Sequence, residues 1–227
     1  RRAAERQHWK AMLNLASFYI EGRDSSHGVE DAVRLVEAAM RLGVPAAYDR
    51  MGTYYSNGTG VQADPTRAYA FWQRAAQMGN AEALTDIGKK LISVDDHPER
   101  DRWANETVGT KMLECAYSQG YGKSAYELGL QYSIPTGRNP TREELERSLL
   151  VWHNGVKFGC ADCAATMAIE FRNPLTTKPQ KVRHLDKARA ERYFILARAL
   201  EFDPERRFPN LDKILPLPPA DLPPWNG

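Results

Sequence analysis

The 227-residue chain is predicted to fold as an all-α solenoid of about five antiparallel helix pairs with a Pro-rich C-terminal extension. Three observations predict it. First, a Gly-anchored unit recurs. Ala11-x-x-x-Leu15-Ala16-x-x-Tyr19 returns 36 residues later as Ala47-x-x-x-Met51-Gly52-x-x-Tyr55, and 36 later again as Ala83-x-x-x-Ile87-Gly88-x-x-Leu91. The frame reappears at Ser124, Leu128, Gly129, Tyr132 and at Cys163, Met167, Ala168, Phe171. A fixed period in this range marks stacked repeats, each burying its apolar face only against its neighbours. Second, each unit carries a further stretch with apolar residues three and four apart, as in Ala32-x-x-Leu35-Val36-x-x-Ala39 and Ala68-x-x-Phe71-Trp72-x-x-Ala75. That spacing gives one buried stripe per helix, so each unit is two amphipathic helices. Third, the composition is that of an ordinary globular chain, 42% apolar and 26% charged.

Element by element, helices are expected at 8–21, 29–42, 46–56, 65–78, 81–92, 101–119, 123–132, 141–158, 161–171 and 185–202. Gly52 and Gly88 are the small residues that let paired helices approach closely. Gly43, Gly79, Gly120 and Gly159 close the second helix of a pair, where a left-handed residue suits Gly. In the turn between the helices of the second pair, Asp64 reads as an N-cap and Pro65 as the first helical residue. The spacing between closing glycines is 36, then 41, then 39 residues, and the added residues fall at Ser93–Arg100 and Ser133–Asn139. Insertions confined to one kind of turn are expected to project from one edge of the array. The helical array spans 1–202 and the Pro-rich segment 203–227. A Pro-rich tail is often disordered, but Leu211, Ile214, Leu215, Leu217, Leu222 and Trp225 are too apolar for that. The segment is expected to lie extended over the last repeat and cap it.

Net charge is +2 with acids and bases interspersed, which argues against a nucleic-acid partner. No stretch in the sequence approaches the ~20 apolar residues of a membrane span. The opening Arg1-Arg2-Ala3-Ala4 reads as a trimmed or processed start, which leaves room for a signal or lipid anchor upstream. An odd count of cysteines (Cys115, Cys160, Cys163) does not read as a disulfide framework.

The unit Ala46-Ala47-Tyr48-Asp49-Arg50-Met51-Gly52-x-x-Tyr55-x-x-Gly58-x-Gly60-Val61-x-x-Asp64-x-x-x-Ala68-x-x-Phe71-Trp72-x-x-Ala75-Ala76-x-x-Gly79-Asn80-Ala81-Glu82-Ala83 resembles the Sel1-like repeat. The match is nearly complete there, partial at 8–43 and eroded at 101–132 and 143–171, about three quarters of the chain in all. The resemblance implies a right-handed α-solenoid akin to tetratricopeptide arrays. The ending Phe208-Pro209-Asn210-Leu211 through Leu222-Pro223-Pro224-Trp225-Asn226-Gly227 is similar to that of bacterial Sel1-repeat proteins encoded beside type VI secretion effectors. This second resemblance implies a periplasmic immunity protein, often lipid-anchored or signal-bearing, that blocks a phospholipase D-type lipase toxin by occlusion. The alternative is a general Sel1-type adaptor in signalling or envelope complexes.

For a binder, the residue before each core position varies: Asn14, Arg50, Asp86, Glu127 and Thr166. Four residues on stand Phe18, Tyr54, Lys90, Gln131 and Glu170, and an i, i+4 relation puts each pair on one helix face. The core neighbours Leu15, Met51, Ile87, Leu128 and Met167 hardly change. One reading of the variable row is solvated helix surface. The other is a partner-binding surface of Asn14, Phe18, Arg50, Tyr54, Asp86, Lys90, Glu127 and Gln131, centred on Arg50, Tyr54 and Asp86 and flanked by Tyr48, since Arg and Tyr are common interface anchors.

No residues are assigned to catalysis, a cofactor or a metal, and no small-molecule substrate is implied. Cys160-Ala161-Asp162-Cys163 is a lone C-x-x-C without a preceding strand. Cys163 reads either as a small buried hydrophobe or as the partner of Cys160 in a local disulfide suited to an oxidising periplasm. Zinc needs about four ligands and no second cluster supplies them. His8, His27, His97, His153 and His184 are scattered. Glu143 and Glu144 are adjacent, so they point ~100° apart on a helix and favour its first turn after Thr141 rather than acid–base chemistry. Phe71-Trp72 and Tyr193-Phe194 read as core packing.

Overall fold

The computed structural model describes residues 2–93, 104–135, 137–172 and 185–225. These residues form helices and no strand. They fall into two compact units, residues 1–87 and 88–227. The first contains α1 (Arg2–Glu5), α2 (Trp9–Ile20), α3 (Val29–Arg41), α4 (Pro45–Asn57), α5 (Pro65–Gln77) and most of α6 (Ala81–Ile92). The second contains the end of α6, then α7 (Glu106–Ser118), α8 (Gly122–Ser133), α9 (Arg142–Lys157), α10 (Ala161–Arg172), α11 (Lys187–Phe202) and α12 (Leu211–Ile214). The ten expected helices are all present with ends shifted by a few residues. The short α1 and α12 were not expected. The elongated turn at Ser93–Arg100 lies, beyond Ser93, outside the described residues, as do His97 and His184.

Local chemistry sets the helix ends. Asp64 accepts the Arg67 amide at 3.0 Å and Pro65 opens α5, as its sequence requires. Asn105 caps α7 and Asp186 caps α11 in the same way. Thr141 and Glu144 form a capping box at the start of α9. The Arg138 guanidinium and the Thr141 amide hold the Glu144 carboxyl down at about 2. This pairing ties the second elongated turn to α9, while Ile134 in the same turn is exposed. Gly79 and Gly120 close α5 and α7 at φ 84° and 78°.

Unit 1 packs Met12, Leu13, Ala16, Val33, Val36, Ala47, Met51 and Tyr54 into one core. Within the second pair, Gly52 lets α5 approach: a Cβ there would lie 2.6 Å from the Trp72 indole. The core of unit 2 is larger and includes Leu113, Leu128, Trp152, Met167, Phe171, Tyr193, Leu211 and Leu215. A Cβ at Gly129 would collide with the ring of Trp152, whose Nε1 donates to the Tyr126 carbonyl at 3.1 Å. The repeated core row is uneven, since Met51, Leu128 and Met167 are buried but Leu15 and Ile87 only half-buried. Tyr193 is buried and stacked on Phe171 at 5.8 Å, but Phe194, expected in the core, is exposed, because adjacent helical residues point ~100° apart.

Cys160 and Cys163 are bonded, with Cα atoms 5.2 Å apart, and Cys163 is also fully buried, so both readings of that residue meet in one structure. Cys115 is exposed on α7. Among the described residues no helix is long and apolar enough to cross a membrane.

The Pro-rich segment packs on the last helices of unit 2, and one helical turn, α12, interrupts its extended course. Leu211 and Leu215 are fully buried, and Phe208, Leu217, Leu222 and Trp225 lie against the same core. Two arginines of α11 hold its backbone. Arg189 donates to the carbonyls of Pro216 and Ala220, and Arg192 to those of Ile214 and Pro223, with the Arg192 guanidinium over the Trp225 ring. Beneath α12, the Asp212 carboxylate accepts from His153 Nε2 at 2.9 Å and from Lys157 Nζ at 2.6 Å. His153 Nδ1 lies 2.6 Å from the Tyr193 hydroxyl. A neutral imidazole satisfies this arrangement, with Nε2–H donating to Asp212 and Nδ1 accepting from Tyr193. Burial holds the His153 imidazole below its ordinary value, against the opposing pull of Asp212.

Two outcomes follow from this packing. Gly129→Ala is expected to destabilise by about 2 kcal/mol despite its better helix propensity, because Trp152 has no room to move; urea denaturation reads it. At His153, the unfolded chain takes up a proton near pH 6.5 that the folded chain resists. The stability this site contributes is therefore complete above that value and declines as pH falls below it. The urea midpoint should drop between about pH 7.5 and 5.5, and His153→Gln should flatten that dependence.

Candidate partner-binding surface

The helical repeat places Asn14 and Phe18 one turn apart on α2, and Arg50 and Tyr54 one turn apart on α4. Asn14 is exposed and Phe18 is 39% exposed. Arg50 is half-buried, and its Nη1 donates to Ser17 Oγ at 2.6 Å, tying α4 to α2. Ser17 in turn donates to the Leu13 carbonyl at 3.3 Å. Asn14, Phe18 and Arg50 therefore share one face of unit 1, held by Ser17, which sequence reasoning passed over.

Tyr54 does not belong to that exposed face. It is 3% exposed, and its hydroxyl faces the Arg50 guanidinium without a hydrogen bond of good geometry. Burial pushes the phenol up, against the opposing effect of the nearby Arg50 charge. The reason is helical register. Tyr54 is four residues from Arg50 but also three from Met51, so it completes the core stripe Ala47–Met51–Tyr54. Gln131 is corrected for the same reason: it stands three residues after Leu128, is 8% exposed, and donates to Glu106 Oε1 at 2.7 Å. Glu170, three residues after Met167, is buried as well.

Tyr48 is also displaced from the place expected for it. Two residues from Arg50 is about 200° around the helix, so the two side chains leave α4 on different sides. Tyr48 donates to the Met40 carbonyl of α3 at 3.5 Å and lines depressions with residues of α3 and α5. On α6, Asp86 is half-buried and Lys90 exposed. In unit 2, the largely covered Glu127 carboxylate accepts from Lys89 Nζ at 2.6 Å, an ion pair whose lysine end is exposed and which contributes about 1 kcal/mol. Among the described residues, no group of three or more His, Cys, Asp or Glu is arranged to hold a metal ion.

The arrangement is suited to recognition. In unit 1 it joins an exposed aromatic ring, a guanidinium with donors to spare beyond Ser17, and an exposed amide. The Sel1 repeat model matches residues 9–44 and 45–80. A solved Pseudomonas aeruginosa protein, 5086 (PA5086), is 32% identical, with a TM-score of 0.69 over 96% of this chain and 78% of that one. The chain belongs to the Sel1-repeat family. Two further solved relatives are immunity proteins from Pseudomonas aeruginosa. Pa5087 is 30% identical with a TM-score of 0.69, and PA5088 is 28% identical with a TM-score of 0.72. Each aligns with 96% of this Sel1-repeat chain, which covers 78% and 77% of them respectively. A domain of unknown function, DUF6396, matches residues 163–227, which take in α10, α11 and the Pro-rich segment. No curated protein matches the chain.

The buried Tyr54 hydroxyl gives a direct test of the corrected register. An unpaired buried hydroxyl is costly to desolvate, by about 1–3 kcal/mol. Tyr54→Phe is therefore expected to leave the melting temperature of this Sel1-repeat protein unchanged or higher; a clear drop would mean that the hydroxyl is paired.

Proposed function

We propose that this Sel1-repeat protein is an immunity protein that binds a cognate type VI secretion effector, a phospholipase D-type lipase, and neutralises it by occlusion. The observation that carries the reading is the alignment of two Pseudomonas aeruginosa immunity proteins with 96% of the chain. A binding role fits the exposed face of unit 1, where Phe18 and Arg50 are residue types that anchor interfaces. Inhibition by contact rather than by chemistry fits the pairing of buried His153 with Asp212 in unit 2. His153 is 1% exposed and engaged on both ring nitrogens, so it has no open edge for a substrate. A periplasmic setting fits the Cys160–Cys163 disulfide, because such bonds persist in oxidising compartments.

Co-expression tests the function and its surface separately. Cells producing a periplasmically directed phospholipase D-type effector should survive when this chain is present, and the two proteins should co-purify. Phe18→Ala with Arg50→Ala is expected to weaken the complex about 10- to 100-fold, by calorimetry, without altering the melting temperature by more than a few degrees. Absence of both protection and binding would overturn the immunity reading. Undiminished binding by the double variant would overturn only the choice of face.

A further inference from the structure

A second face of unit 1, on the other side of α4 from Arg50, carries a groove. Tyr48 stands at its centre. On one side a depression of about 430 Å³ is lined by Tyr48, Tyr55, Arg67, Ala70, Phe71 and Arg74. On the other, a depression of about 380 Å³ is lined by Glu37, Met40, Arg41 and Tyr48. The floor of the first is a stacked pair, Tyr55 on Phe71, with ring centres 5.4 Å apart and planes 13° apart. Arg67 lies over the Tyr55 ring at 5.6 Å, and its charge is already engaged by Asp64 at 3.3 Å. Arg41 and Arg74 differ from it. Both are exposed, and the guanidinium of neither makes an ion pair or a hydrogen bond among the described residues.

Two properties of this groove select an occupant. The walls of its first depression are mostly ring and aliphatic carbon, which gives an apolar side chain somewhere to leave water. Its rims carry two guanidiniums with no carboxylate on them, and Glu37 is the one acidic residue among the lining side chains. Guanidinium forks match carboxylates in geometry and charge. A basic or neutral ligand would leave Arg41 and Arg74 unmatched; an acidic one would not.

We propose that this groove docks an acidic segment of a protein partner, with an apolar side chain over Tyr55 and Phe71 and flanking carboxylates on Arg74 and Arg41. The site is independent of the face assigned to the effector. It gives the chain a second contact, whose occupant is recognised by charge and by a single apolar anchor.

The test uses the intact chain and a fluorescein-labelled peptide with a Leu-Phe centre flanked on both sides by Glu, read by fluorescence anisotropy at low salt. Saturable binding is expected, weakened about tenfold by Arg74→Glu, weakened further by Arg41→Glu with Arg74→Glu, and unchanged by Arg50→Ala. Binding should also fall as salt is raised. The same peptide with Lys in place of Glu should not bind. Both charge reversals are at exposed positions outside the core, and an unchanged circular-dichroism melt confirms that the variants fold. No saturable binding, equal binding of the Lys peptide, or full binding by the double variant would each overturn the proposal. So would a concentration-dependent dimer in light scattering that Arg74→Glu abolishes, since a second copy of the chain would then be the occupant. None of these outcomes bears on protection against the effector, which depends on the other face.

Discussion

The close approach between the two helices of a pair is the contact on which the rest of the structure depends. In three of the five pairs it is made where the first helix offers a glycine and the second offers either bulk or backbone, while Ala16 and Ala168 hold the position in the first and fifth. In the second pair Gly52 receives the Trp72 indole, and in the fourth Gly129 receives that of Trp152. In the third pair the aromatic residue is missing and the compensation is reciprocal. A Cβ at Gly88 would lie 2.9 Å from the Gly109 carbonyl, and one at Gly109 would lie 2.6 Å from the Gly88 carbonyl. Interiors pack at crystal-like density, so a missing indole must be replaced by something, and here backbone replaces it. One spacing rule thus admits two solutions, ring into glycine and glycine against glycine, and both keep the repeat in register.

That contact fixes the rotation of each first helix, and rotation decides what the outer row can present. Where the core residue is fully buried (Met51, Leu128, Met167), the residue three positions on is buried too: Tyr54, Gln131, Glu170. Where the core residue is only half-buried (Leu15, Ile87), the residue three positions on is exposed: Phe18, Lys90. A small turn of the helix about its axis therefore converts the same sequence position from core to surface. What the outer row exposes is set by this register as much as by side-chain identity.

This is also why the fold was more legible in the sequence than the surface. Helix positions follow from periodicity and caps, and Asp64-Pro65 and Thr141 through Glu144 mark their ends by local chemistry alone. Arg50, Phe18 and Asn14 could be placed together by counting turns. Counting does not separate Tyr54 from Arg50, because four residues from one row and three from the other differ by only about 100° of arc. Neither does it reveal Ser17, whose hydroxyl matters only because α2 and α4 lie side by side, nor the Tyr48 groove, which needs residues from α3, α4 and α5 at once. Phe71 was legible as an apolar residue on a core stripe. That it is stacked on Tyr55 and lines a groove is a property of packing.

The C-terminal segment shows the same division between composition and context. Proline supplies no amide hydrogen, so a Pro-rich segment has few donors for its own carbonyls, although Leu215 N–H reaches Leu211 and Ala220 N–H reaches Leu217. Buried beside a helix end, such carbonyls need donors from elsewhere, and α11 provides them as guanidiniums. Arg189 and Arg192 between them serve the carbonyls of Ile214, Pro216, Ala220 and Pro223. Asp212, placed on the one helical turn, closes the opposite side on His153 and Lys157. Apolar anchors alone would bury Leu211 and Leu215 but would leave the segment's direction open, since hydrophobic contacts are non-directional. The arginine forks and the Asp212 carboxylate supply that direction. The last repeat is thereby closed by a segment that makes little regular structure of its own and takes its course from α9 and α11.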